Sequence, residues 1–404
     1  MPDKRTALIQ TVGWETLPSV TAALALRPAM IGHVHLADSA EASRRAASAL
    51  AGVLAQVPVT HVEVSNDDAL AETREAVRGL AQRFQQQHGV ERIIVHVTGS
   101  TKLLAIGAYE AARELAAECI YLELPHGDAD GVPQVISLRT GVLDSDGIAA
   151  LGFDPSEQMR IDIVARAHGY QLVSGGEDFQ PFLRFARIAL EDVDAEETLQ
   201  RALPAVGGER SPWPDEPLWQ QWRQDFFMPS PLREAALEAG IVEQRNDRVR
   251  IADPGIAVTR ELRRKLFERN ASLLRGAWLE VALADAMSKT NSLRDVRWSV
   301  EAESPRPMEH DVLALKGTTL VVASAKRSIQ RGVFGHLREL KAHAHRLGGM
   351  KGIPVLAIAR FDRHRMSAER AAVADDLVEV CETLGIRLLT REDILKKDVI
   401  ASVV

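Results

Sequence analysis

The chain has 404 residues, of which 46% are hydrophobic, so it is long enough for two or three domains that each bury an ordinary core. We expect a cytoplasmic protein that does not contact membranes, because the sequence shows neither a signal peptide nor a run of about eighteen apolar residues. Cys119 and Cys381 lie far apart, which argues against a disulfide framework and a structural zinc site.

The net charge of −7 is distributed unevenly along the chain. Residues 260–404 contain 26 Lys and Arg against 19 Asp and Glu, a net charge of +7, which leaves −14 for residues 1–259. Clustered cations favour a polyanion because binding releases its counterions. The C-terminal part is therefore predicted to bind phosphate groups, and chance segregation of solvated charge is the alternative.

Residues 1–150 alternate short apolar runs with Ala-rich segments of helical spacing. The apolar runs are TALIQTV, IGHVHLA, VTHVEV, RIIVHVTG and CIYLEL. Short strands separated by helix-length intervals are typical of a parallel sheet covered by helices. This range is therefore predicted to be a Rossmann-like α/β domain.

A polar loop follows the fourth apolar run and precedes a helix; it consists of Thr98, Gly99, Ser100, Thr101 and Lys102. Gly99 permits close approach of a ligand to the backbone, while the hydroxyls, the helix N-terminus and Lys102 suit phosphate or ribose oxygens. Ligands of open α/β sheets bind at the carboxyl ends of strands, where Thr11, Gly13 and Ser39 lie on two other loops. These residues are predicted to complete a pocket; alternatively, Gly13 only turns the chain and Ser39 only caps a helix.

Residues 151–258 are less regular and are predicted to be a linker with one small folded unit. After Pro231, the segment LREAALEAGIVEQRNDRVRIA predicts a helix that stops at Gly240 and two strands that turn at Asn246 and Asp247. The unit is either winged-helix-like or a structural spacer. A ligand-controlled transcriptional regulator would need the first, but this helix is acidic and apolar rather than basic.

Residues 259–404 begin with a cationic amphipathic helix that is predicted to break near Asn270. Four strand-like segments follow, with two helices among them. The strands are VRWSVEAE, HDVLALKG, TLVVASAK and IPVLAIAR, and the helices are FGHLRELKAHAHRL and SAERAAVADDLVEVCETL. The predicted order is a helix, three strands, a helix, a strand and a helix.

The strongest chemical pattern of this range joins Glu280 on the first helix with Asp311 and Lys326 on successive strands. Asp311 and Lys326 are fifteen residues apart, and a tight turn at Lys316 and Gly317 would bring them to the same end of a hairpin. Phosphodiester hydrolysis needs carboxylates that hold a divalent cation and a positive group that stabilises developing charge. We therefore predict Glu280 and Asp311 as ligands of Mg²⁺ or Mn²⁺ and Lys326 as a contact of the water or phosphate. Alternatively, Asp311 and Lys326 are ordinary residues at strand ends.

Four segments together resemble a known family: RGAWLE, MEHDVLAL, LVVASAK and LRELKAHAHRLGG look like the C-terminal PD-(D/E)xK domain of CRISPR-associated ancillary nucleases. Glu309 and Asp311 match the E-x-D strand of that family, and Ser324 and Lys326 match its x-x-K strand. The resemblance implies a restriction-endonuclease-like α/β domain with Glu280, Glu309, Asp311, Ser324 and Lys326 at the catalytic site. The fuller motif has glutamate where this chain has Ser324, so a binding protein with a degenerate site is a second hypothesis.

The T-G-x-T-K pattern before an Ala-rich helix resembles the ligand loop of CRISPR-associated Rossmann-fold (CARF) domains, which occur fused to this nuclease type. Ser100 stands where that family often has glycine. The resemblance implies a homodimer that binds one cyclic oligoadenylate, most often cyclic tetra-adenylate, and then cleaves single-stranded DNA or RNA and nicks duplex DNA. A two-fold ligand suits a two-fold axis. Degradation of the activator by the loop hydroxyls is a further hypothesis, although the loop offers no positioned base.

The helix FGHLRELKAHAHRL contributes histidines and part of a basic patch. His336, His343 and His345 do not share one helical face, so we expect them at a solvated or phosphate-facing surface rather than at a metal. The predicted patch for a phosphate backbone consists of Arg327, Arg331, Arg338, Lys341 and Arg346.

Overall fold

The computed structural model describes residues 3–124, 133–154, 159–176, 178–203, 224–253, 260–304, 306–329, 332–361, 368–396, 400–402 and 404. Within them the chain forms a seven-stranded sheet, a six-stranded sheet and a separate two-stranded hairpin. No helix of these ranges is both long and apolar enough to cross a membrane.

The first sheet has the strand order β3-β2-β1-β4-β5-β6-β7. Its first five strands run parallel: β1 (Asp3–Thr11), β2 (Pro28–Leu36), β3 (Val59–Val64), β4 (Arg92–His96) and β5 (Glu118–Glu123). β6 (Gln134–Ser137) and β7 (Gly141–Val142) extend it antiparallel. The parallel strands coincide with the five apolar runs, so the predicted Rossmann-like sheet is confirmed.

Helices cover the first sheet between its strands: α1 (Leu17–Leu26), α2 (Ala40–Ala51), α3 (Ala69–His88) and α4 (Lys102–Glu114). Every residue of α1 is buried, as expected for a segment that is apolar on all faces. α5 (Ser145–Leu151) and α6 (Ile161–Ala167) then lead to the second sheet.

The second sheet has the strand order β15-β14-β13-β12-β11-β8. Its strands are β8 (Gln171–Gly176), β11 (Leu293–Ser304), β12 (Arg306–Lys316), β13 (Thr319–Ser328), β14 (Ile353–Arg360) and β15 (Arg387–Thr390). The neighbouring strands β8, β11, β12 and β13 pair antiparallel, whereas β13, β14 and β15 pair parallel. The predicted α/β class of the C-terminal part is confirmed. Within residues 259–404 the structure has β15 in addition to the four strands that the sequence pattern indicated.

Five helices accompany the second sheet: α10 (Arg260–Ser272), α11 (Trp278–Ser288), α12 (Val333–Gly348), α13 (Ala368–Leu384) and α14 (Arg391–Leu395). A π-helical stretch, Leu273–Ala277, separates α10 from α11. The helix therefore breaks later than the predicted position near Asn270, because the non-helical backbone lies at Gly276, with φ 163° and ψ −18°.

The predicted linker, residues 151–258, contributes directly to the second sheet. β8 pairs with β11, α7 (Leu183–Glu191) packs against α11, and α8 (Val193–Ala202) follows. The prediction of a linker missed these elements because QLVSGG has no alternating pattern, and its partner lies more than a hundred residues later in the chain.

The small folded unit has the predicted form. It consists of α9 (Ser230–Glu238) and the hairpin of β9 (Val242–Arg245) and β10 (Arg248–Ile251), with Asn246 at a φ of 54° in the turn. Leu232 and Val249 belong to the same buried cluster as Phe267 and Trp278 of the helices that follow. The unit is therefore part of the C-terminal packing, which favours a structural spacer over a DNA-reading module.

One cluster of buried side chains joins the two sheets. It contains Leu8 and Ile94 of the first sheet and Leu313 and Val322 of the second. α6 lies within this cluster and contacts both α2 and α12. The two domains therefore share a hydrophobic core instead of being held together by a linker alone.

Candidate active site and ligand loops

The β12–β13 hairpin brings Asp311 and Lys326 together. The strands pair from Val312 opposite Ala323 to Lys316 opposite Thr319, and Gly317 turns the chain with a φ of 59°. Lys326 Nζ lies 3.3 Å from Asp311 Oδ2. The two residues therefore share the same end of the hairpin, as the sequence predicts.

The carboxylate of Asp311 is held by three donors on β13. Its Oδ2 accepts hydrogen bonds from Ser324 Oγ at 2.8 Å, from Ala325 N at 2.7 Å and from Lys326 Nζ at 3.3 Å. Among the residues that the structure describes, none donates to Oδ1. One oxygen is thus fixed by the protein, and the other can bind a cation.

Glu280 and Glu309 complete an acidic cluster with Asp311. Burial raises the pKa of Glu280 well above its usual value, and Asp311 and Glu309 raise it further, whereas Lys326 opposes this shift. The pKa of Glu309 is also raised, by burial and then by Asp311 and Glu301. Glu280, from a helix, thus lies close to two carboxylates from a strand. Such crowding favours either protonation or a bound cation.

The donor set of the acidic cluster fits a hard divalent cation. Carboxylate oxygens are the ligands that Mg²⁺ and Mn²⁺ prefer, and Mg²⁺ usually keeps several waters while it binds one or two carboxylates. Within the described ranges, no three His, Cys, Asp or Glu side chains are arranged to hold a metal ion by themselves. A cation between Asp311 and Glu280 would therefore complete its coordination with water.

Ser324 occupies the position at which the fuller motif has glutamate. Its side chain is buried and contacts both Asp311 Oδ2 and His336 Nε2, the latter at 2.9 Å. Burial lowers the pKa of His336, and Lys326 lowers it further. The histidines of this helix were expected at a solvated or phosphate-facing surface. His336 is half-buried and faces the hairpin, which leaves only the second of these settings for it, whereas His345 is exposed.

Two arginines at the strand ends beside the site are tied to Glu196 of α8. This buried carboxylate, 1% exposed, accepts from Arg327 Nη1 at 3.4 Å and from Arg360 Nε at 3.2 Å. Glu196 therefore connects the ends of β13 and β14. Sequence reasoning missed it, because an isolated glutamate in an acidic helix resembles a solvated residue.

A groove of 640 Å³ opens beside the acidic cluster. Glu280 and Glu309 line it, whereas Asp311 and Lys326 do not. Its cationic lining comes from α10 and the π-helical stretch and consists of Arg264, Lys265, Arg269 and Arg275. Four carboxylates also line the groove, Glu268, Glu280, Glu301 and Glu309, so its lining is mixed in charge. The groove differs from the patch predicted around α12: Arg338 and Arg346 are exposed but do not line it, and Arg331 lies outside the described residues.

The loops after β1 and β4 touch each other at the carboxyl edge of the first sheet. Thr11 Oγ1 lies 2.8 Å from Ser100 Oγ. A side chain at Gly13 would overlap the carbonyl oxygen of Gly99, and Gly99 itself has a φ of 83°. Both glycines are therefore required by the close contact between these ligand loops, residues 11–15 and 98–102.

The predicted ligand residues divide into two groups. Thr98 and Ser39 are buried and bond to the backbone: Thr98 Oγ1 accepts from Leu122 N at 2.6 Å, and Ser39 Oγ donates to Val12 O at 3.2 Å. Ser39 precedes α2, but its side chain does not cap that helix and is bonded to backbone groups of neighbouring segments instead. Thr101 and Lys102 are exposed at the start of α4, and Ser100 is half-buried beside them. Only this second group can contact a ligand through side chains.

No protein-family model matches the chain, and no curated protein matches it in sequence. Three solved structures share its fold. Protein VC1899 from Vibrio cholerae is 15% identical with a TM-score of 0.68, over 99% of this chain and 98% of that one. Can2 from Sulfobacillus thermosulfidooxidans, in complex with cyclic tetra-adenylate, is 13% identical with a TM-score of 0.62, over 98% of both chains.

The third structure is a type III CRISPR defence DNA nuclease activated by cyclic oligoadenylate. It is 16% identical with a TM-score of 0.55, over 89% of this chain and 46% of that one. At such identities the likeness concerns the fold. The chain therefore shares the overall fold of these proteins, with VC1899 and Can2 matched over nearly its whole length.

Proposed function

We propose that this protein is a metal-dependent nuclease of type III CRISPR defence that a cyclic oligoadenylate activates. The observation that carries the proposal is the 3.3 Å contact between Asp311 and Lys326, with Glu280 near enough for both charges to shift its pKa. The fold supports it, since the chain matches Can2 over nearly its whole length.

In the proposed reaction, the residues of the hairpin and α11 have different roles: cation binding, charge stabilisation and orientation of the carboxylate. Asp311 and Glu280 would hold the cation, and a divalent ion bound there would supply charge that lowers the pKa of water and neutralises the phosphate. Lys326 stabilises the charge that develops on the phosphate oxygens. Ser324 Oγ and Ala325 N–H fix the orientation of Asp311, and the Ser324–His336 contact holds α12 against the hairpin.

The proposed activator is a cyclic oligoadenylate, with cyclic tetra-adenylate as the first candidate. Its phosphate and ribose oxygens would meet Ser100, Thr101 and Lys102 at the start of α4, where Thr101 Oγ1 also caps the helix by accepting from Leu104 N. Two copies of the chain would enclose one ligand, since a cyclic ligand of even ring size can lie on the two-fold axis of a homodimer.

A binding protein without cleavage is the second candidate. It is favoured by one observation: Ser324, in the glutamate position of the motif, is buried in contact with His336 and Asp311 and supplies no carboxylate. Such a protein would hold nucleic acid under control of the same ligand.

Cleavage assays distinguish the two candidates. The protein is incubated with cyclic oligoadenylates of different ring size, with Mg²⁺ or Mn²⁺, and with labelled single-stranded DNA or RNA or supercoiled plasmid. We expect cleavage only when ligand and metal are both present. Asp311→Asn and Lys326→Ala should each lower the rate by about 10²-fold or more.

An acid–amine pair of similar geometry provides the control. Glu392 and Lys396 lie 3.4 Å apart on the surface of α14, so Glu392→Gln and Lys396→Ala should leave the rate unchanged. Undiminished cleavage by the Asp311 and Lys326 variants would refute the site. Ligand-dependent binding without cleavage under either metal would establish the second candidate.

A further inference from the structure

A cavity of 580 Å³ lies at the junction of the two domains. The first domain contributes α2 to its lining, and the second sheet contributes β11, the start of β8 and the segment that leads from α6 into β8. Neither the ligand loops, residues 11–15 and 98–102, nor the acidic cluster lines it, so the cavity is separate from both sites. Its volume is ordinary for a pocket that holds a small organic molecule.

Three arginines and two glutamates line the cavity. Arg44 and Glu41 pair with each other at 2.8 Å, and both side chains are exposed, so together they add no net charge. The side chains of Arg45, Arg166 and Glu303 make no ion pair in the part of the chain that the structure describes. Two guanidinium groups therefore face one carboxylate, and the unpaired lining has a net charge of +1.

Arg45 is half-buried beside His168 on this lining. Among the described residues, its Nε is buried without a hydrogen-bond partner. Burial, and then the charge of Arg45, lower the pKa of His168 to about 4, so this ring is neutral at pH 7 and does not supply a further cation. A guanidinium that is partly removed from water and lacks a carboxylate gains most from an incoming anion.

Close packing against glycines places the two unpaired arginines. A side chain at Gly169, which has a φ of 85°, would meet Arg45 Cδ at 3.0 Å. A side chain at Gly52, just after α2, would meet Arg166 Nη1 at 3.0 Å. Arg166 thus reaches from α6 to the end of α2, and the two arginines converge from separate elements. Side chains that packing already restrains lose less entropy when a ligand binds.

The other lining residues indicate what kind of anion would fit. Tyr170 is half-buried and offers a ring for stacking, while Glu303 and Gln171 lie opposite each other on β11 and β8. The carboxylate of Glu303 repels a bare anion but accepts hydrogen bonds from ribose hydroxyls or a base amino group. We propose that this cavity is a second ligand site, which binds a mononucleotide through its phosphate on Arg45 and Arg166. The sugar or the base then meets Glu303 and Tyr170.

A ligand in this site would contact both domains, α2 on one side and the second sheet on the other. Its binding would therefore depend on how the domains are arranged, and it could in turn stabilise one arrangement. The site does not require that the protein be a nuclease, and it is distinct from the loops assigned to the cyclic activator.

Calorimetry with the full chain tests the assignment. The probes are AMP, GMP, CMP, UMP, adenosine and inorganic phosphate. At least one nucleotide should bind with a Kd below about 1 mM, and saturating cyclic tetra-adenylate should not displace it. Arg45→Gln and Arg166→Gln should each weaken that binding about tenfold or more, since each removes a charged donor to the phosphate. Glu303→Gln should weaken nucleotide binding about threefold without weakening the binding of inorganic phosphate.

Two further variants serve as controls. Arg83→Gln removes an exposed arginine of α3 that does not line the cavity, and it should leave nucleotide affinity unchanged. Arg45→Lys keeps the positive charge and should lose less affinity than Arg45→Gln, whereas a general loss of structure would affect both alike.

Three results would overturn the second site: no nucleotide bound at about 1 mM, displacement of the nucleotide by cyclic tetra-adenylate, or full affinity in the Arg45→Gln and Arg166→Gln variants. Inorganic phosphate that binds as tightly as every nucleotide, with no effect of Glu303→Gln on nucleotide binding, would overturn the assignment of a mononucleotide. Failure of ligand-activated cleavage in the same preparation would leave these binding results unaffected, so the two proposals fail separately.

Discussion

Asp311 and Glu280 share one site but differ in how the protein treats their charge. Asp311 is held by three donors through one oxygen, so the orientation of its carboxylate is fixed by hydrogen bonds. Glu280 is buried near two other carboxylates, and its pKa is raised well above the usual value. The charge of Glu280 is therefore the one that should depend most on a bound cation.

This difference predicts how Glu280→Gln changes stability with pH. A folded-state pKa above the ordinary value of 4.5 means that the ionised carboxylate destabilises the fold as pH rises through that folded-state pKa. The metal-free variant should therefore melt above the unmodified protein at pH 8, by about 2–4 °C for each kcal/mol relieved. The difference should shrink as pH falls towards 4.5.

Thermal melts in EDTA across this pH range make the measurement. Mg²⁺ or Mn²⁺ should raise the Tm of the unmodified protein at pH 8 but have little effect on the variant. Exposed Glu392 provides the control, since Glu392→Gln should change Tm little at any pH. A variant that melts at a lower temperature than the unmodified protein at pH 8 would contradict the conclusion that ionised Glu280 destabilises the metal-free fold.

At the scale of elements, contacts between loops and helices determine how the two sites are built and connected. The ligand loops depend on backbone contact between Gly13 and Gly99. α12, a helix of sixteen residues, reaches the catalytic hairpin through His336 near one end. Beyond its other end, Lys351 Nζ donates to the carbonyl of Leu124, just after β5 of the first domain. The segment from His336 to Lys351 thus contacts both domains.

Gly13→Ala should damage the ligand loops specifically. The added methyl group would overlap backbone atoms, including Ser100 Cα at 2.9 Å, so the loops must separate. We expect at least about a tenfold loss of ligand affinity, or 1.4 kcal/mol, in calorimetry. Gly79→Ala is the matched control, since nothing lies within 4 Å of its added methyl and alanine favours helix α3. Equal affinity in both variants would show that the ligand binds elsewhere.

Lys351→Met should weaken communication between the domains. Methionine has a side chain of similar length but cannot donate to Leu124 O. Burial lowers the pKa of Lys351, and the nearby Glu15 and Glu123 oppose this shift. We expect the stimulation of cleavage by ligand to fall about fivefold or more, a coupling loss of roughly 1 kcal/mol, while ligand affinity changes by a similar factor. Rates with and without ligand, together with calorimetry, measure this coupling, and Lys396→Met serves as the control. Full stimulation in Lys351→Met would exclude this contact as a route of coupling.

At the scale of the whole molecule, the two domains share a hydrophobic core. A surface of exposed apolar side chains lies beside the ligand loops. Trp14 is 66% exposed, Leu103 50% and Ile106 45%. Leu103 and Ile106 are three residues apart on α4 and lie on one face of that helix. Large apolar side chains grouped beside a binding site are typical of a protein interface.

We therefore expect this surface to be the dimer contact. Light scattering should give two copies of the unmodified protein, and calorimetry should give one ligand for each pair of chains. The double variant Leu103→Glu, Ile106→Glu should be monomeric and unresponsive to ligand, because charges would be buried without partners. Val142→Glu, at a residue 59% exposed on the far strand β7, should leave the dimer intact. A monomeric unmodified protein in the presence of ligand would refute the two-fold arrangement.

Local patterns in the sequence determined most helices and strands and the pairing of Asp311 with Lys326 in the candidate site. Asp311 and Lys326 were predictable because one tight turn and an alternating hairpin relate residues fifteen apart. The five parallel strands were predictable because each is a short apolar run between helix-length segments. The order of the strands in either sheet was not part of these predictions, since it depends on pairing between distant segments.

Only the tertiary structure decided which residues from other elements join the site. His336 and Glu196 lie on helices whose residue pattern is typical of a solvent-exposed face. Only their contacts with β13, through Ser324 and Arg327, turn these side chains inward. β8 enters the second sheet without a strand pattern of its own, because its pairing with β11 provides the hydrogen bonds that select it. Periodicity reports which face of an element is apolar, whereas the partner of that face is chosen by burial and hydrogen bonding over the whole chain.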